Sequence, residues 1–162
     1  MRTSRHPQRE LDRLDRRILA LLQADGRMSM KDLAEAVGLT ITPCIERVRR
    51  LERDKVILGY HARLNPALLG AGLLVFVEIS LGSKAGNMFE QFRREVLRIP
   101  EVLECHLVSG DFDYLLKARI REIGEYRRLL GDILLQLPGA VQSKSYVVME
   151  EVKETLAIAV EE

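Results

Sequence analysis

SMKDLAEAVGLTITPCIERVRRLERDK, residues 29–55, decides how the rest of the chain is read. It holds two short helical patterns joined at Gly38 by a tight turn. In the second pattern Cys44, Val48 and Leu51 recur at i, i+4 and i+7, one face of a helix of 3.6 residues per turn. Thr42, Glu46, Arg49, Arg50 and Arg53 fall roughly opposite; with Arg47, four arginines lie within seven residues. One side suits a protein core and the other a polyanion. Ser29 is placed to cap the first helix, and Asp32 three residues on resembles a capping box with Asp in place of Glu. Leu33, Ala34 and Val37 face inward, and small Ala34 lets the next helix cross closely. Thr40 or Thr42 caps that helix, and Pro43 is tolerated in its first turn.

These features predict a helix-turn-helix. A generic three-helix core with a solvated basic face would share the arginine run. The spacing of four from Ala34 to Gly38, the capped start and the amphipathic second helix favour the DNA-binding motif. Docking geometry then assigns roles. Thr40, Ile41, Thr42, Glu46 and Arg47, at the start of the recognition helix, are candidates for base edges. Arg49, Arg50 and Arg53 are candidates for phosphates.

Working outward, residues 11–24 read as a first helix with Leu14, Ile18, Leu21 and Leu22 on its buried stripe, ended near Gly26. Residues 1–10 read as a flexible arm; its arginines are within reach of phosphates, but a frayed terminus is the commoner explanation of such a segment. Residues 56–58 and 60–64 are β-prone runs around Gly59 and predict a two-stranded wing. The result is a winged domain over residues 1–64, marginal alone at that size, so a dimer partner is expected. NPALLGAG, residues 65–72, is the expected linker, broken by Pro66, Gly70 and Gly72.

Beyond it the pattern changes. Strands are expected at 73–81, 102–109, 112–120 and 141–149, with a fifth at 155–160. Helices are expected at 87–99, ended by Pro100, and at 123–137 with Tyr126, Leu129, Leu130, Ile133 and Leu134 inward. The order β-α-β-β-α-β is that of a ferredoxin-like split motif. The expected fold class is therefore α+β: an N-terminal winged helix-turn-helix joined to a C-terminal ferredoxin-like βαββαβ domain over residues 73–162. Strand 73–81 lacks clean alternation, with Leu74 and Phe76 opposite Val75, Val77, Ile79 and Leu81. The sheet face away from the helices then needs a cover, and a second copy of the same sheet is the simplest one.

Charge divides the chain the same way. Residues 1–65 carry 14 Lys and Arg against 9 Asp and Glu, and the remainder 11 against 15. The basic front half is the part suited to nucleic acid. Cys44 and Cys105 sit in apolar segments without metal-ligand spacing, which predicts reduced thiols and a cytoplasmic setting. No apolar run approaches the roughly 20 residues needed to span a bilayer, so no membrane is expected. There is no Ser/His/Asp constellation, GxGxxG or P-loop, so neither an enzyme nor a cofactor is expected. His6, His61 and His106 are scattered.

The second candidate site is HLVSGDFDY, residues 106–114. Backbone N–H groups at a glycine turn can hold a carboxylate. Asp111 or Asp113 can hold an ammonium, and apolar strand ends a side chain. The same residues also describe an ordinary hairpin with Gly-Asp at its tip.

Several long segments resemble the Lrp/AsnC family of transcriptional regulators, of the leucine-responsive type. They are LDRLDRRILALLQADGR (11–27), TPCIERVRRLER (42–53), GYHARLNP (59–66), LLVFVEISL (73–81), ECHLVSGDFDYLLK (104–117) and YVVMEEVK (146–153). The resemblance runs from about Leu11 to Glu154. It implies double-stranded DNA as partner, dimers that assemble further, often to octamers, and a free amino acid as effector where adjacent dimers meet. Leucine or another small apolar amino acid is the implied effector. The effector site it implies comprises Leu107, Val108, Ser109, Gly110, Asp111 and Asp113, with Tyr146, Val147 and Val148 beside them. One departure stands out: Thr40-Ile41-Thr42 precedes Pro43-Cys44 where the family usually has Ser-Pro-Thr, which touches operator choice.

Overall fold

In a computed structural model, residues 10–82 and 86–161 are described, and they form two compact units. Of the expected arm, residues 1–10, only Glu10 is among the described residues.

The first unit is helical: α1 Arg13–Ala24, α2 Met30–Val37 and α3 Ile41–Arg53. Its caps follow the side-chain chemistry. Asp12 accepts from the Asp15 N–H at 2.8 Å and Ser29 from the Asp32 N–H at 3.1 Å. Gly38 ends α2 in the left-handed conformation (φ 71°), which a residue with a Cβ adopts only under strain. Thr40 stands at the N-cap of α3 without a side-chain cap bond. Ile18, Leu22, Leu33, Ala34, Val37, Cys44, Val48 and Leu51 make the core.

The expected wing is not formed. Residues 56–65 run as irregular chain with no paired strand, and Leu58, Tyr60 and Leu64 are exposed. A two-residue hairpin needs positive φ at its tip, and Gly59 is not among the residues with positive φ. Instead Lys55 takes positive φ (59°), and the Val56 and Ile57 N–H groups donate to the Leu51 carbonyl. The expected fifth strand is also absent. Residues 154–161 pack with this helical unit, where the Ile158 N–H and C=O bond the Gln23 side-chain amide, each at 2.8 Å. A side chain takes the place of a neighbouring strand.

The second unit opens with a short 3₁₀ turn, Ala67–Leu69, closed by Gly70. It continues β1 Leu73–Leu81, α4 Met88–Val96, β2 Val102–Leu107, β3 Tyr114–Ile120, α5 Ile123–Arg128 and β4 Ala140–Val147. The sheet order is β2-β3-β1-β4 with every neighbouring pair antiparallel, the order of a split βαββαβ unit. Val75, Val77, Ile79 and Leu81 of β1 face the core with Tyr114, Leu116, Ala118 and Ile120 of β3, beneath Phe92 and Val96 of α4. The Phe92 and Tyr114 rings stack at 4.2 Å between centroids.

The helical path after α5 changes pitch, with a π turn at Leu129–Ile133 and a 3₁₀ turn at Leu134–Gln136. Leu129 and Leu134, five residues apart, are both fully buried. An α-helical pitch would turn them well apart; the wider turn keeps both on the core.

The other sheet face differs from expectation. Leu74, Phe76 and Leu115 lie on it by register, but between charged neighbours. Tyr146 donates to Glu78 at 2.8 Å, Lys117 lies 3.2 Å from Glu104, and Arg119 binds Glu151. The face is mixed rather than uniformly apolar. No helix among the described residues is long and apolar enough to cross a membrane.

Phe92 has no exposed surface. Phe92→Ala is expected to lower unfolding free energy by about 3–5 kcal/mol, read from the urea midpoint by circular dichroism.

Candidate functional site

The recognition-helix candidate divides its arginines into two pairs. Asp15 of α1 is 3% exposed. A carboxylate removed from water is costly unless cations meet it. Arg50 places Nη2 2.6 Å from both Asp15 oxygens, and Arg47 places Nη1 2.8 Å from Oδ1. The same Arg47 atom lies 2.6 Å from Asp12 Oδ2. The Arg47 hydrogen bond, followed by the Asp15 N–H bond, holds the Asp12 carboxyl below the usual carboxylate range. Arg47 and Arg50 are therefore ion-pair residues that tie α3 to α1. Their guanidiniums, expected at base edges (Arg47) and at phosphates (Arg50), are engaged within this chain.

What remains outward is Thr40, Ile41, Thr42, Glu46, Arg49 and Arg53, all exposed. Arg53 has only a 3.4 Å surface pair with Asp54, with its side chain 72% exposed. Such a pair is weak in water, so the guanidinium is available to a phosphate. Beside this face lies a shallow cleft of about 380 Å³, lined by Leu22, Met28, Met30, Ile45, Arg49 and Tyr60 among others. Tyr60 donates to Glu52 at 3.1 Å; burial, and then that bond, pushes its phenol up to about 12.

Sequence reasoning missed Asp12 and Asp15. A signal was present: Asp15, Ile18 and Leu22 share one face at i, i+3, i+7, and an acid on a core stripe demands a cation.

In the second unit the turn between β2 and β3 is pinned at its base and open at its tip. Val108 donates to the Asp113 carbonyl at 3.0 Å, and the Asp113 N–H to the Ile79 carbonyl at 3.0 Å. The Asp113 carboxylate accepts the buried Leu81 N–H at 2.8 Å. Asp113 is 6% exposed. Its carboxylate is a strand-end tie, and of the two acids expected near an ammonium, Asp111 or Asp113, it is the one already engaged. Leu107, Ser109, Gly110 and Asp111 are exposed, and Val108 is half-buried. Gly110 takes φ 147° with open space where a Cβ would stand.

One chain does not bring both parts of the expected effector site together. Tyr114, where the turn ends, pairs with Ile79, whereas Tyr146 and Val147 pair with Phe76 and Val75 and the Val148 N–H donates to Leu74. Three or more positions along β1 separate them, roughly 10 Å at about 3.3 Å per residue. Tyr146 is partly exposed, with Lys144 Nζ 5.1 Å from its ring centroid.

Among the described residues no group of three or more His, Cys, Asp or Glu is placed to hold a metal. Burial pushes both the Cys44 and Cys105 thiols up.

Comparison with known proteins is consistent across the chain. Residues 11–52 match the AsnC-type helix-turn-helix domain and residues 74–158 the Lrp/AsnC ligand binding domain. A leucine-responsive regulatory protein from Escherichia coli (strain K12) is 56% identical over 153 residues, 94% of this chain and 93% of that one. A crystal structure of a Neisseria meningitidis transcriptional regulator in complex with L-Met superposes with TM-score 0.88 at 34% identity, covering 93% and 97% of the two chains. An AsnC family regulator from Agrobacterium tumefaciens gives TM-score 0.86 at 35% identity, covering 91% and 96%.

The ion pairs set two expectations. Arg50→Ala leaves the buried Asp15 undercompensated and is expected to cost about 3–5 kcal/mol, against a change within about 0.5 kcal/mol for Arg53→Ala, both by urea unfolding. Because the folded Asp12 carboxyl titrates low, its contribution is complete above the ordinary carboxylate range. It is lost as pH falls toward that lowered value. Asp12→Asn should flatten this acid loss in a melting-temperature series across pH.

Proposed function

The chain belongs to the Lrp/AsnC family, and on that premise we propose that it is a DNA-binding transcriptional regulator whose affinity or assembly is shifted by a free amino acid. The carrying observation is the outward face of α3. Thr42, Glu46, Arg49 and Arg53 are exposed together on a helix that Asp15 locks to α1 through Arg47 and Arg50. A rigid helix with an uncommitted cationic face is what major-groove docking needs. Arg49 and Arg53 hold phosphates; Thr40, Ile41, Thr42 and Glu46 meet base edges.

The effector is a small apolar amino acid, leucine first. One relative named above is a leucine-responsive regulatory protein, and the Neisseria regulator was crystallised with L-Met. Leu107, Val108, Ser109, Gly110 and Asp111 form its site. The N–H groups of the open Gly110 turn take the carboxylate, and exposed Asp111 takes the ammonium. Tyr146, Val147 and Val148 join from another copy, since one chain keeps them apart. Such a shared site links binding to assembly. The amino acid shifts the population by its differential affinity for the assemblies, and the DNA spacing changes with it.

Replacing both Arg49 and Arg53 with Ala is expected to make the slope of log affinity against log salt shallower by about 1.8, two phosphate contacts at about 0.9 each. An unchanged slope contradicts the assignment. For the effector, L-leucine at 100 times its dissociation constant should stabilise the chain by about 2.7 kcal/mol in a thermal-shift panel of amino acids. No shift with any amino acid contradicts the sensor reading.

A further inference from the structure

We propose that Asp12 is a positioning residue that withholds Arg47 from DNA phosphates and so limits sequence-blind binding. The inference rests on the DNA-binding reading of α3.

Two carboxylates share the Arg47 guanidinium, and they are not equivalent. Asp15 is buried and already met by Arg50 at both oxygens. Asp12 is half-exposed, and its Oδ2 lies 2.6 Å from Arg47 Nη1. The rest of the Asp12 carboxylate is the N-cap of α1, accepting from the Asp15 N–H through Oδ1. The cap fixes where Oδ2 points, and Oδ2 fixes Arg47. Held by both carboxylates through one nitrogen, Arg47 is harder for a phosphate to take than Arg53, whose lone surface pair is weak in water. Arg47 follows Glu46 directly on α3 and keeps 24% of its side chain exposed, at the rim of the outward face. With Asp12 in place Arg47 is held twice; without it Arg47 is held only by Asp15, which Arg50 already meets at both oxygens, and a phosphate can take it.

The test uses the full chain and a mixed-sequence duplex, with affinity measured across salt concentrations. Asn at position 12 keeps a capping oxygen but presents an NH₂ donor where Oδ2 accepted. Asp12→Asn is expected to bind several-fold tighter, with a slope steeper by about 0.9, one added phosphate. Asp12→Asn combined with Arg47→Ala is expected to return to the wild-type slope, which a merely structural role would not produce. Asp12→Ser keeps a cap without a carboxylate and repeats the test if the Asn variant melts early. An unchanged or shallower slope in both single variants, with wild type binding normally, overturns this inference alone. Wild type with no salt-dependent binding overturns the DNA-binding reading beneath it.

Discussion

One buried carboxylate, Asp15, sets the geometry of the helical unit. It is 3% exposed on the core side of α1 and meets two guanidiniums from α3. An unpaired charge there would cost several kcal/mol, so the helices are held in the one arrangement that keeps Arg47 and Arg50 in place. The apolar contacts of Ile18, Val48 and Leu51 supply the larger share of cohesion. The ion pair is directional. It fixes the rotation of α3 about its axis and hence which side chains face outward.

The sheet unit uses the same device at other points. Asp113 caps the Leu81 N–H where β1 ends, and Arg119 holds Glu151 just beyond β4. Each is a buried or nearly buried charged group with a defined partner, at the margin of an apolar core. They leave the turn at Gly110 open, with Asp111 free of structural duty among the bonds described. A ligand turn needs such a fixed base and an uncommitted tip.

Much of this was legible in the sequence. The helices of the first unit follow from period and caps, and the βαββαβ order from the succession of β-prone and helical runs, the first helix of it ended by Pro100. The two β-prone runs around Gly59 misled, because β propensity needs a partner strand and one chain supplies none. Residues 154–161 misled for the same reason, and a Gln23 amide took the partner's role. Among the arginines, the helical wheel placed Arg50 outward and the motif placed Arg47 on bases. A long side chain can turn back to a neighbouring helix, and only the position of Asp15 on the apolar stripe of α1 pointed to that. The effector segments were found as segments, but their separation along β1 depends on strand register, which no local pattern encodes.

The division of arginines is the central claim, and side-chain reactivity tests it most directly. Phenylglyoxal modification of the folded chain, mapped by mass spectrometry with and without duplex DNA, reads each guanidinium separately. Arg49 and Arg53 should react in the free protein and be protected by DNA, while Arg47 and Arg50 react slowly in both states. Fast modification of Arg50 in the free chain, with protection by DNA, would contradict the account.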